Sequence, residues 1–431
     1  MRYLPIDKQL FVDNRKNFSK QIKENSMAIF FSADQSPRNG DQFHAFRQQS
    51  DLFYLCGIDQ EKSILIIAPD HPNKTLRECL FLLKTNEIIA KWEGHKYTKE
   101  EAKSCSGIES IFWLEDLDFN MNEIMSEVDN VYLNRNEYPK FFPEVEEKNH
   151  REGDAIKSKF PLHNYFRSAP IMAQLRGVKS DIEKKLIEKA CNITDVAFRK
   201  VLETTKPGMY EFDIQAEVDY VFTKNRANGH GYAPIIASGK NACVLHYIEN
   251  NDEFKDGDLL LMDFGAEYAN YTADMSRTIP VNGKFTKRQK QCYNAVLDVF
   301  KELKKLYVKG NSSTLINEKA NELMGKEMVK LGLFTEKDIE KQDKENPLYK
   351  KYFMHGVCHP IGLDVHDIGS KHRTFEPGMI LTLEPGIYIE EENIGIRIEN
   401  DILITEGAPV DMMKNIPIEV EEIESLMNKG K

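Results

Sequence analysis

The sequence predicts an α/β N-terminal domain over residues 1–170 and an α+β C-terminal domain over residues 171–431. In the first domain, short apolar runs at 27–33, 63–68 and 79–85 are bounded by turn residues, a pattern typical of buried strands. In the second domain, strongly periodic helices separate two groups of strands. The length of 431 residues is consistent with this division, since a domain has roughly 100–200 residues.

The composition excludes several classes of protein. The chain is 41% hydrophobic and 29% charged, which is ordinary for a globular protein. Its net charge of −11 is opposite to that of a phosphate-backbone binder, so no nucleic-acid partner is expected. The apolar runs are far shorter than the roughly 18 residues of a membrane span, and the N-terminus lacks an apolar signal region. Seven scattered cysteines without a Cys-x-x-Cys pair predict a cytoplasmic protein.

The elements have local signals. Residues 144–159, rich in Glu and Lys, are predicted to be a solvated face or loop. Ser180 and Glu183 form a capping-box pattern, followed by apolar residues at helical spacing until Pro207. A second helix is predicted from Glu211 to about residue 228. The remaining elements are predicted as strands and turns to about 281, helices at 287–309 and 312–331, and strands at 379–383, 386–390, 395–399 and 402–405.

Two aspartates are the first candidates for chemistry. Asp263 ends a hydrophobic strand, and Asp274 lies eleven residues later in a second strand candidate, with a hairpin turn at 268–270 between them. Pairing of these strands can place the two carboxylates side by side. Two buried carboxylates need a proton, an arginine or a metal to neutralise them. The alternative is a pair of strand-end aspartates, with Asp274 bound to Arg277.

Three of the 11 histidines, His355, His359 and His366, fall within twelve residues. Their spacing is not that of a zinc finger, and Pro360 argues against one continuous helix. The alternative for each is a hydrogen-bonded core or surface histidine.

Two glutamates, Glu384 and Glu399, are predicted to lie inside apolar strands, where a carboxylate needs a partner. Because Arg397 and Glu399 are two residues apart, they share one face of a strand, and a structural ion pair is the alternative.

Together, Asp263, Asp274, His359, Glu384 and Glu399 offer four carboxylates and one imidazole, with a total charge of −4. Two divalent ions neutralise this charge, whereas a single zinc site prefers more nitrogen or sulfur ligands. Carboxylates suit Mn²⁺, Mg²⁺ or Ca²⁺, and the histidine favours a transition ion, with Mn²⁺ as the expected choice. Two carboxylate-bridged ions would hold a bridging hydroxide as nucleophile.

These five residues, in this order and in these strings, resemble the pita-bread metallopeptidases over residues 173–425. That superfamily includes methionine aminopeptidase, proline dipeptidase and aminopeptidase P. The string at 46–57, Phe-Arg-Gln-Gln-Ser-Asp-Leu-Phe-Tyr-Leu-Cys-Gly, is similar to the N-terminal domain of the last two. The resemblance implies a creatinase-like N-terminal domain, a pita-bread (creatinase/aminopeptidase) catalytic domain, and hydrolysis of the bond between an N-terminal residue and a penultimate proline.

The resemblance also implies the roles of individual residues. Asp263 would bind one ion, Asp274 and Glu399 would bridge both, and His359 and Glu384 would bind the other. Glu384 would in addition handle the proton of the attacking hydroxide.

Further residues of the site are implied in the same way. His355 and His366 would contact the substrate carbonyl and the tetrahedral intermediate, and His246 would bind substrate or shuttle protons. Tyr388 and Arg397 are grouped with the substrate-binding residues and would hold the ligands in place.

The chain departs from the family at two positions. Cys358 stands where Ser or Gly is usual, and Asn400 stands where Asp is common; neither change removes a ligand. A homodimer or homotetramer is expected, and Trp92 is predicted to reach an active site, either that of its own chain or that of a neighbouring subunit. The alternative for Trp92 is packing within its own domain.

Three other functions are open. A proline dipeptidase, restricted to Xaa-Pro dipeptides, shares the ligands, and a longer substrate such as Xaa-Pro-Xaa distinguishes it. Creatinase-like chemistry lacks the metal carboxylates that this chain has. A non-catalytic pita-bread binding module would have lost ligands, whereas all five are present.

Overall fold

The computed structural model describes residues 2–343, 345–370 and 372–429. It divides into two units, Tyr3–Arg176 and the chain from Gly177 onward. The boundary expected from the sequence, between 170 and 171, falls near the start of the helix Ala169–Gly177. The mixed α/β content of both units confirms the predicted fold class.

The N-terminal unit is built on one six-stranded sheet. In spatial order its strands are Ser110–Trp113, Glu78–Leu82, Ile64–Ile67, Ser26–Phe31, Asn130–Leu133 and Asn164–Arg167. The two pairings among Glu78–Leu82, Ile64–Ile67 and Ser26–Phe31 are antiparallel, and the other three pairings are parallel. All six residues of Ser26–Phe31 are buried, as expected for a central strand covered on both faces.

Helices and short turns surround this sheet. The α-helices are Gln9–Ser19, Ser50–Cys56, Glu87–Glu93, Lys99–Ser106, Leu117–Glu127, Lys148–Lys159 and Ala169–Gly177. A small hairpin joins Pro37–Asn39 to Gln42–Phe43, and 3₁₀ turns cover Lys74–Leu76 and Leu114–Asp116. The charged stretch expected as a solvated face or loop is mostly the helix Lys148–Lys159, which buries Asn149, Gly153 and Ile156 and exposes its charges.

The C-terminal unit opens with the helix predicted from its capping box. Ser180 accepts from the backbone of Glu183, and the Glu183 side chain accepts from Ser180 in return. Its α-helices are Asp181–Thr204, Glu211–Lys224, Lys287–Lys304, Ser313–Lys330, Glu336–Lys341 and Val420–Met427. The 3₁₀ turns are Gly239–Cys243, Leu348–Lys351 and Glu390–Glu392.

The strands of this unit form four small sheets on either side of the helical segment in the sequence. Before it are Ile235–Ser238, Leu259–Asp263 and Ser276–Pro280 in one sheet, and Tyr271–Thr272, Ala266–Tyr268 and Gly229–His230 in another. After it are Ile380–Leu383, Asn400–Leu403 and Val410–Asp411, and the hairpin Gly386–Ile389 with Ile394–Arg397. Hydrogen bonds between segments, such as Glu399 N to Ser276 O at 3.1 Å, connect the two groups.

Two strand predictions need correction. Glu384 follows the strand Ile380–Leu383, and Glu399 lies between Ile394–Arg397 and Asn400–Leu403, so neither glutamate is inside a strand. Ile398 extends the apolar pattern beyond Arg397, and Ile387 and Ile389 resume it soon after Glu384, which made the strands look longer in the sequence. As a result, both carboxylates lie where strands end, as Asp263 does. Among the residues that the structure describes, no helix is long and apolar enough to cross a membrane.

Candidate metal centre

The two aspartates approach each other through a tyrosine. Asp263 ends the strand Leu259–Asp263, whose register places it opposite Ser276. Asp274 lies just before that residue and is 4% exposed. The Tyr232 hydroxyl is 2.6 Å from Asp263 Oδ1 and 2.6 Å from Asp274 Oδ1. A phenol has one proton to donate, so the second contact needs either a proton on one of the carboxyl groups or a cation beside them.

His359 presents a nitrogen to the same carboxylates. Its Nδ1 lies 3.0 Å from the Pro360 carbonyl, which can only accept, so Nδ1 carries the proton. In the neutral ring, Nε2 is then the nitrogen with the lone pair, and it lies 3.4 Å from Asp274 Oδ2 and 3.6 Å from Glu384 Oε1. Hydrogen bonds between His359 and Thr382 hold this segment beside the strand Ile380–Leu383.

Glu399 completes the cluster from the other side. It is 2% exposed and accepts from Ser276 Oγ at 2.7 Å. One oxygen of Asp274, one oxygen of Glu399 and one nitrogen of His359 lie within 4.8 Å of one another. Asp263 joins this triad through Tyr232, and Glu384 joins it through His359. The structure therefore brings together all five residues predicted as ligands.

Burial and mutual repulsion govern the protonation of these acids. Burial first, and the neighbouring Asp263 second, raise the pKa of Asp274 well above its ordinary value. Burial followed by the charges of Asp274 and Asp263 does the same to the pKa of Glu399. Burial and Glu399 raise the pKa of Glu384 to about 8. The cluster thus holds more negative charge than its surroundings balance.

Arg397 is the cation that touches this cluster. Its Nη2 donates to Asp263 Oδ2 at 2.7 Å, and its Nε donates to Ser276 Oγ at 2.7 Å, which in turn donates to Glu399. Arg397 and Glu399 therefore do not form the direct ion pair considered from the sequence, and Ser276 connects them instead. The other alternative, Asp274 with Arg277, is replaced too, because the Arg277 guanidinium donates to the Glu399 carbonyl and to Asn400.

Arg397 also starts a hydrogen-bond chain to His355. Its Nη1 donates to Tyr388 Oη at 3.0 Å, and Tyr388 Oη lies 2.8 Å from His355 Nε2. The other ring nitrogen, Nδ1, is 2.8 Å from the Gly356 carbonyl. Burial and the charge of Arg397 lower the pKa of His355 to about 4, with a smaller contribution from His246, so the imidazole is neutral near pH 7.

The remaining predicted residues surround this centre. The His366 ring is edge-on to the His359 ring, with 4.4 Å between centroids. His246 is exposed in the loop after the turn Gly239–Cys243, and it makes a small contribution to the lowered pKa of His355. Tyr388 and Arg397 are buried.

The two departures from the family have local explanations. Asn400 accepts from Arg277 Nη2 at 2.7 Å and donates to the Asp411 carboxylate at 2.9 Å, and a carboxylate at 400 would repel Asp411. The Cys358 thiol lies 3.4 Å from Ser313 Oγ, and burial raises its pKa to about 11, so it stays protonated. Trp92, in the helix Glu87–Glu93, is 87% exposed and is therefore not packed within its own unit.

Sequence reasoning missed Tyr232 and Ser276. Both contact predicted ligands, yet neither has a motif that marks it, because a hydroxyl residue on a strand is common. The signal for Ser276 was its position two residues after Asp274, on the same face of the backbone. Tyr232 is 31 positions from Asp263 in the sequence, and only the fold brings it there.

The donor set fits divalent ions. Several oxygens and one unprotonated imidazole nitrogen converge on a mostly buried volume, and the only cation touching them, among the described residues, is Arg397. Oxygen-rich sets of this kind with one histidine suit hard and transition divalent ions. A bound cation is also one way to relieve the two short contacts of Tyr232 with Asp263 and Asp274.

Comparisons with known proteins agree with this geometry. Residues 185–406 match the metallopeptidase family M24, and residues 11–132 match the aminopeptidase P N-terminal domain. The chain is 32% identical to an Xaa-Pro aminopeptidase of Haemophilus influenzae over 98% of both chains.

Solved structures agree as well. An Escherichia coli aminopeptidase P with the inhibitor Pro-Leu superposes with a TM-score of 0.87 at 30% identity, covering 98% of this chain and 99% of that one. A Bacillus anthracis chain assigned to aminopeptidase P gives a TM-score of 0.90 at 32% identity, covering 99% of both. The chain belongs to the metallopeptidase family M24 and carries the N-terminal domain of aminopeptidase P.

Proposed function

We propose that this chain releases the N-terminal residue from peptides whose second residue is proline. The chain is a metal-dependent enzyme of the Xaa-Pro aminopeptidase type, given its family and its relatives along its whole length. The observation that carries the proposal is the convergence of Asp274, Glu399 and the unprotonated His359 nitrogen within 4.8 Å. Asp263 and Glu384 extend this set to the five ligands.

In the proposed mechanism, Asp263, Asp274, His359, Glu384 and Glu399 would hold two divalent ions. When bound, the ions would lower the pKa of a water and polarise the peptide carbonyl. Glu384, next to His359 and 3.8 Å from His355, accepts the proton that the attacking water loses. Arg397 keeps Asp263 and Glu399 oriented through its contacts with Asp263 and Ser276.

The histidines would frame the scissile bond. His355 and His366 are assigned to the carbonyl oxygen and the tetrahedral intermediate, and His246 to substrate binding or proton transfer. Since proline has no amide N–H, a preference for it rests on the shape of the site rather than on a hydrogen bond from that nitrogen. A proline dipeptidase remains the second candidate, because it shares the ligands.

The finer parts of the proposal are Mn²⁺ as the ion, the cytoplasm as the location, and a homodimer or homotetramer with Trp92 at an active site. Carboxylate donors with one imidazole support Mn²⁺. Seven free cysteines support a reducing compartment. The exposure of Trp92 supports a role outside the packing of its own unit.

The test is release of alanine from Ala-Pro-Ala by metal-stripped protein, with and without added Mn²⁺. We expect cleavage only with the ion. Ala-Pro and Ala-Ala-Ala are the companion substrates. Cleavage of Ala-Pro alone would favour the dipeptidase, and equal rates for Ala-Ala-Ala and Ala-Pro-Ala would contradict proline specificity.

A second assay separates the histidines. His355→Ala and His366→Ala are expected to lower kcat by about 10²–10³-fold, the value of one oxyanion donor, and to retain both ions. His359→Ala is expected to lose metal affinity, measured by metal analysis after desalting. Equal metal loss in all three variants would contradict the assigned roles.

A further inference from the structure

Glu211 is a buried carboxylate that the site described above does not use. It is the first residue of the helix Glu211–Lys224 and is fully buried. Within the described part of the chain, no positively charged side chain is among its hydrogen-bond partners, and its negative charge lies at the favourable end of the helix dipole. A carboxylate kept in such a place needs other groups to compensate its burial.

The compensation comes from one loop, residues 238–252. Five neutral groups lie within hydrogen-bond distance of the two carboxylate oxygens: Ser238 N at 2.7 Å, Ser238 Oγ at 2.8 Å, Asn241 Nδ2 at 3.2 Å, Tyr247 Oη at 2.7 Å and Asp252 N at 2.9 Å. In return, Glu211 N donates to the Asp252 carbonyl at 3.0 Å. Both ends of the loop, Ser238 and Asp252, and two residues between them therefore contact the Glu211 side chain.

The chemistry of these partners demands a carboxylate. The backbone N–H groups and the Asn241 amide can only donate at the atoms in contact, and the two hydroxyls have their protons available for Glu211. A glutamine at 211 would keep the shape of the side chain but would turn an NH₂ group toward donors on one side. Buried donors left without an acceptor are costly, so the loop would detach from that side.

The loop that Glu211 holds carries His246. The next residue, Tyr247, is buried, while His246 is exposed. The Tyr247 ring packs in an apolar cluster with Ile235, Ala237, Ala242, Leu261 and Tyr388. Tyr388 is the residue that binds both Arg397 and His355. Tyr247 therefore connects Glu211 to the interior of the site. His246 is the residue directly before Tyr247 in the chain, so its backbone position depends on where Tyr247 is held.

The loop also lies directly against a strand of the site. A side-chain carbon at Gly395 would come within 2.0 Å of the Ala242 carbonyl oxygen. Gly395 belongs to the strand Ile394–Arg397, which carries Arg397. The loop is thus confined by this close approach on one side and by Glu211 on another.

We propose that Glu211 is a positioning residue for the reaction: its carboxylate fixes the 238–252 loop so that His246 is presented to the peptide. This rests on the proposed function, in which His246 serves the substrate. Glu211 itself touches neither the predicted metal ligands nor the histidines. Its effect is therefore carried by the placement of the loop.

The experiment compares Glu211→Gln, His246→Ala and the double variant, using Ala-Pro-Ala with metal-loaded protein. We expect Glu211→Gln to lower kcat/KM by about 10- to 100-fold, the scale of a misplaced binding group. Metal content should be unchanged, and amide exchange should accelerate in residues 239–251. In the His246→Ala background, the same substitution should cost less than about threefold, since the group that it positions is already gone.

Two further variants complete the design. Glu217→Gln lies on the same helix, 3.8 Å from Lys200, and should leave kcat/KM and loop exchange unchanged. Tyr247→Phe removes one of the five donors and keeps the apolar packing, so it tests the same idea if Glu211→Gln does not fold. It should lower kcat/KM in the same direction by a smaller factor.

The outcomes separate the two proposals. A wild-type chain that does not release alanine would overturn the proposed function, and the inference with it. An active wild-type chain whose Glu211→Gln or folded Tyr247→Phe variant keeps its kcat/KM would overturn the inference alone. So would a full loss in the double variant equal to the product of the single losses, since Glu211 would then act independently of His246.

Discussion

Arg15 in the N-terminal unit and Arg397 in the C-terminal unit are both buried, but they differ in how many acidic groups surround them. Arg15 donates to one carboxylate, Glu78, at 2.9 Å, and to the carbonyls of Phe11, Leu55 and Ser106. Its charge is matched by one acid. Arg397 serves a cluster of four carboxylates and binds one of them directly. The difference teaches that a buried arginine alone does not mark a functional site, whereas an excess of buried acid over base does.

The largest effect is expected from removing one of the buried carboxylates of the candidate metal centre. Glu399→Ala removes a carboxylate that is proposed to bridge both ions, so both should be lost together and activity should fall by about 10³-fold or more. Metal analysis after desalting and tripeptide kinetics measure this. Glu419→Ala, an acid paired with Lys301 at the surface, is the control and should retain both properties. Retention of two ions by Glu399→Ala would contradict the bridging role.

The excess acid also predicts how the metal-free protein responds to pH. Glu384 has its pKa raised from 4.5 to about 8, and the pKa of Asp274 and Glu399 is raised as well. Between the ordinary pKa of a glutamate and the raised pKa of Glu384, the folded state binds more protons than the unfolded state. The free energy of unfolding therefore falls as the pH rises, by several kcal/mol between about pH 5 and 8.

Urea unfolding of metal-stripped protein at the two pH values measures this dependence. Metal-loaded protein is the control, and its stability should change much less, because the ions replace the protons as counter-charge. Equal pH dependence with and without metal would show that the carboxylates are not the source.

The balanced arginine should behave differently. Arg15→Met leaves three carbonyls and Glu78 without their donor, and we expect a loss of about 3 kcal/mol in the free energy of unfolding. Metal content and tripeptide kinetics of the folded protein should be unchanged. Arg199→Met, which breaks a half-exposed pair with Asp195, is the control and should cost less than about 0.5 kcal/mol. Metal loss in Arg15→Met would erase the contrast between the two arginines.

The smallest effect is expected at Tyr232. Tyr232→Phe removes a hydroxyl 2.6 Å from both Asp263 and Asp274, and should weaken metal affinity by about 10- to 100-fold without unfolding the protein. Calorimetric titration with Mn²⁺ measures the affinity. Tyr220→Phe, an exposed tyrosine, should bind as the wild type does. Unchanged affinity in Tyr232→Phe would mean that its two contacts do not orient the ligands.

Features that depend on residues close together in the sequence could be predicted, and features that depend on distant residues could not. The capping box at Ser180 involves neighbours three residues apart, and the helix Asp181–Thr204 starts where it predicts. Asp263, Asp274, His359, Glu384 and Glu399 were predictable because unusual charges interrupt apolar strings. The ends of the strands near Glu384 and Glu399 could not be predicted, because apolar residues also occur beyond the last residue that pairs with a neighbouring strand.

Residues that act through long-range contacts were beyond sequence reasoning. Tyr232 reaches its aspartates only through the fold, and Glu211 reads as an ordinary first residue of a helix. Its partners lie between 27 and 41 positions further along the chain. Phe212, the next residue of that helix, is apolar yet exposed, and it stacks on Tyr210.

The hydrogen-bond chain from Arg397 to Gly356 has a built-in direction. A guanidinium at one end can only give protons and a carbonyl at the other end can only receive them, so every proton between them is ordered in a single sense. The Nε2 lone pair of His355 is therefore already committed to the Tyr388 phenol. For this ring to donate to a substrate oxygen from Nε2, that nitrogen must first gain a proton and release Tyr388, so the phenol holds the imidazole in its accepting form.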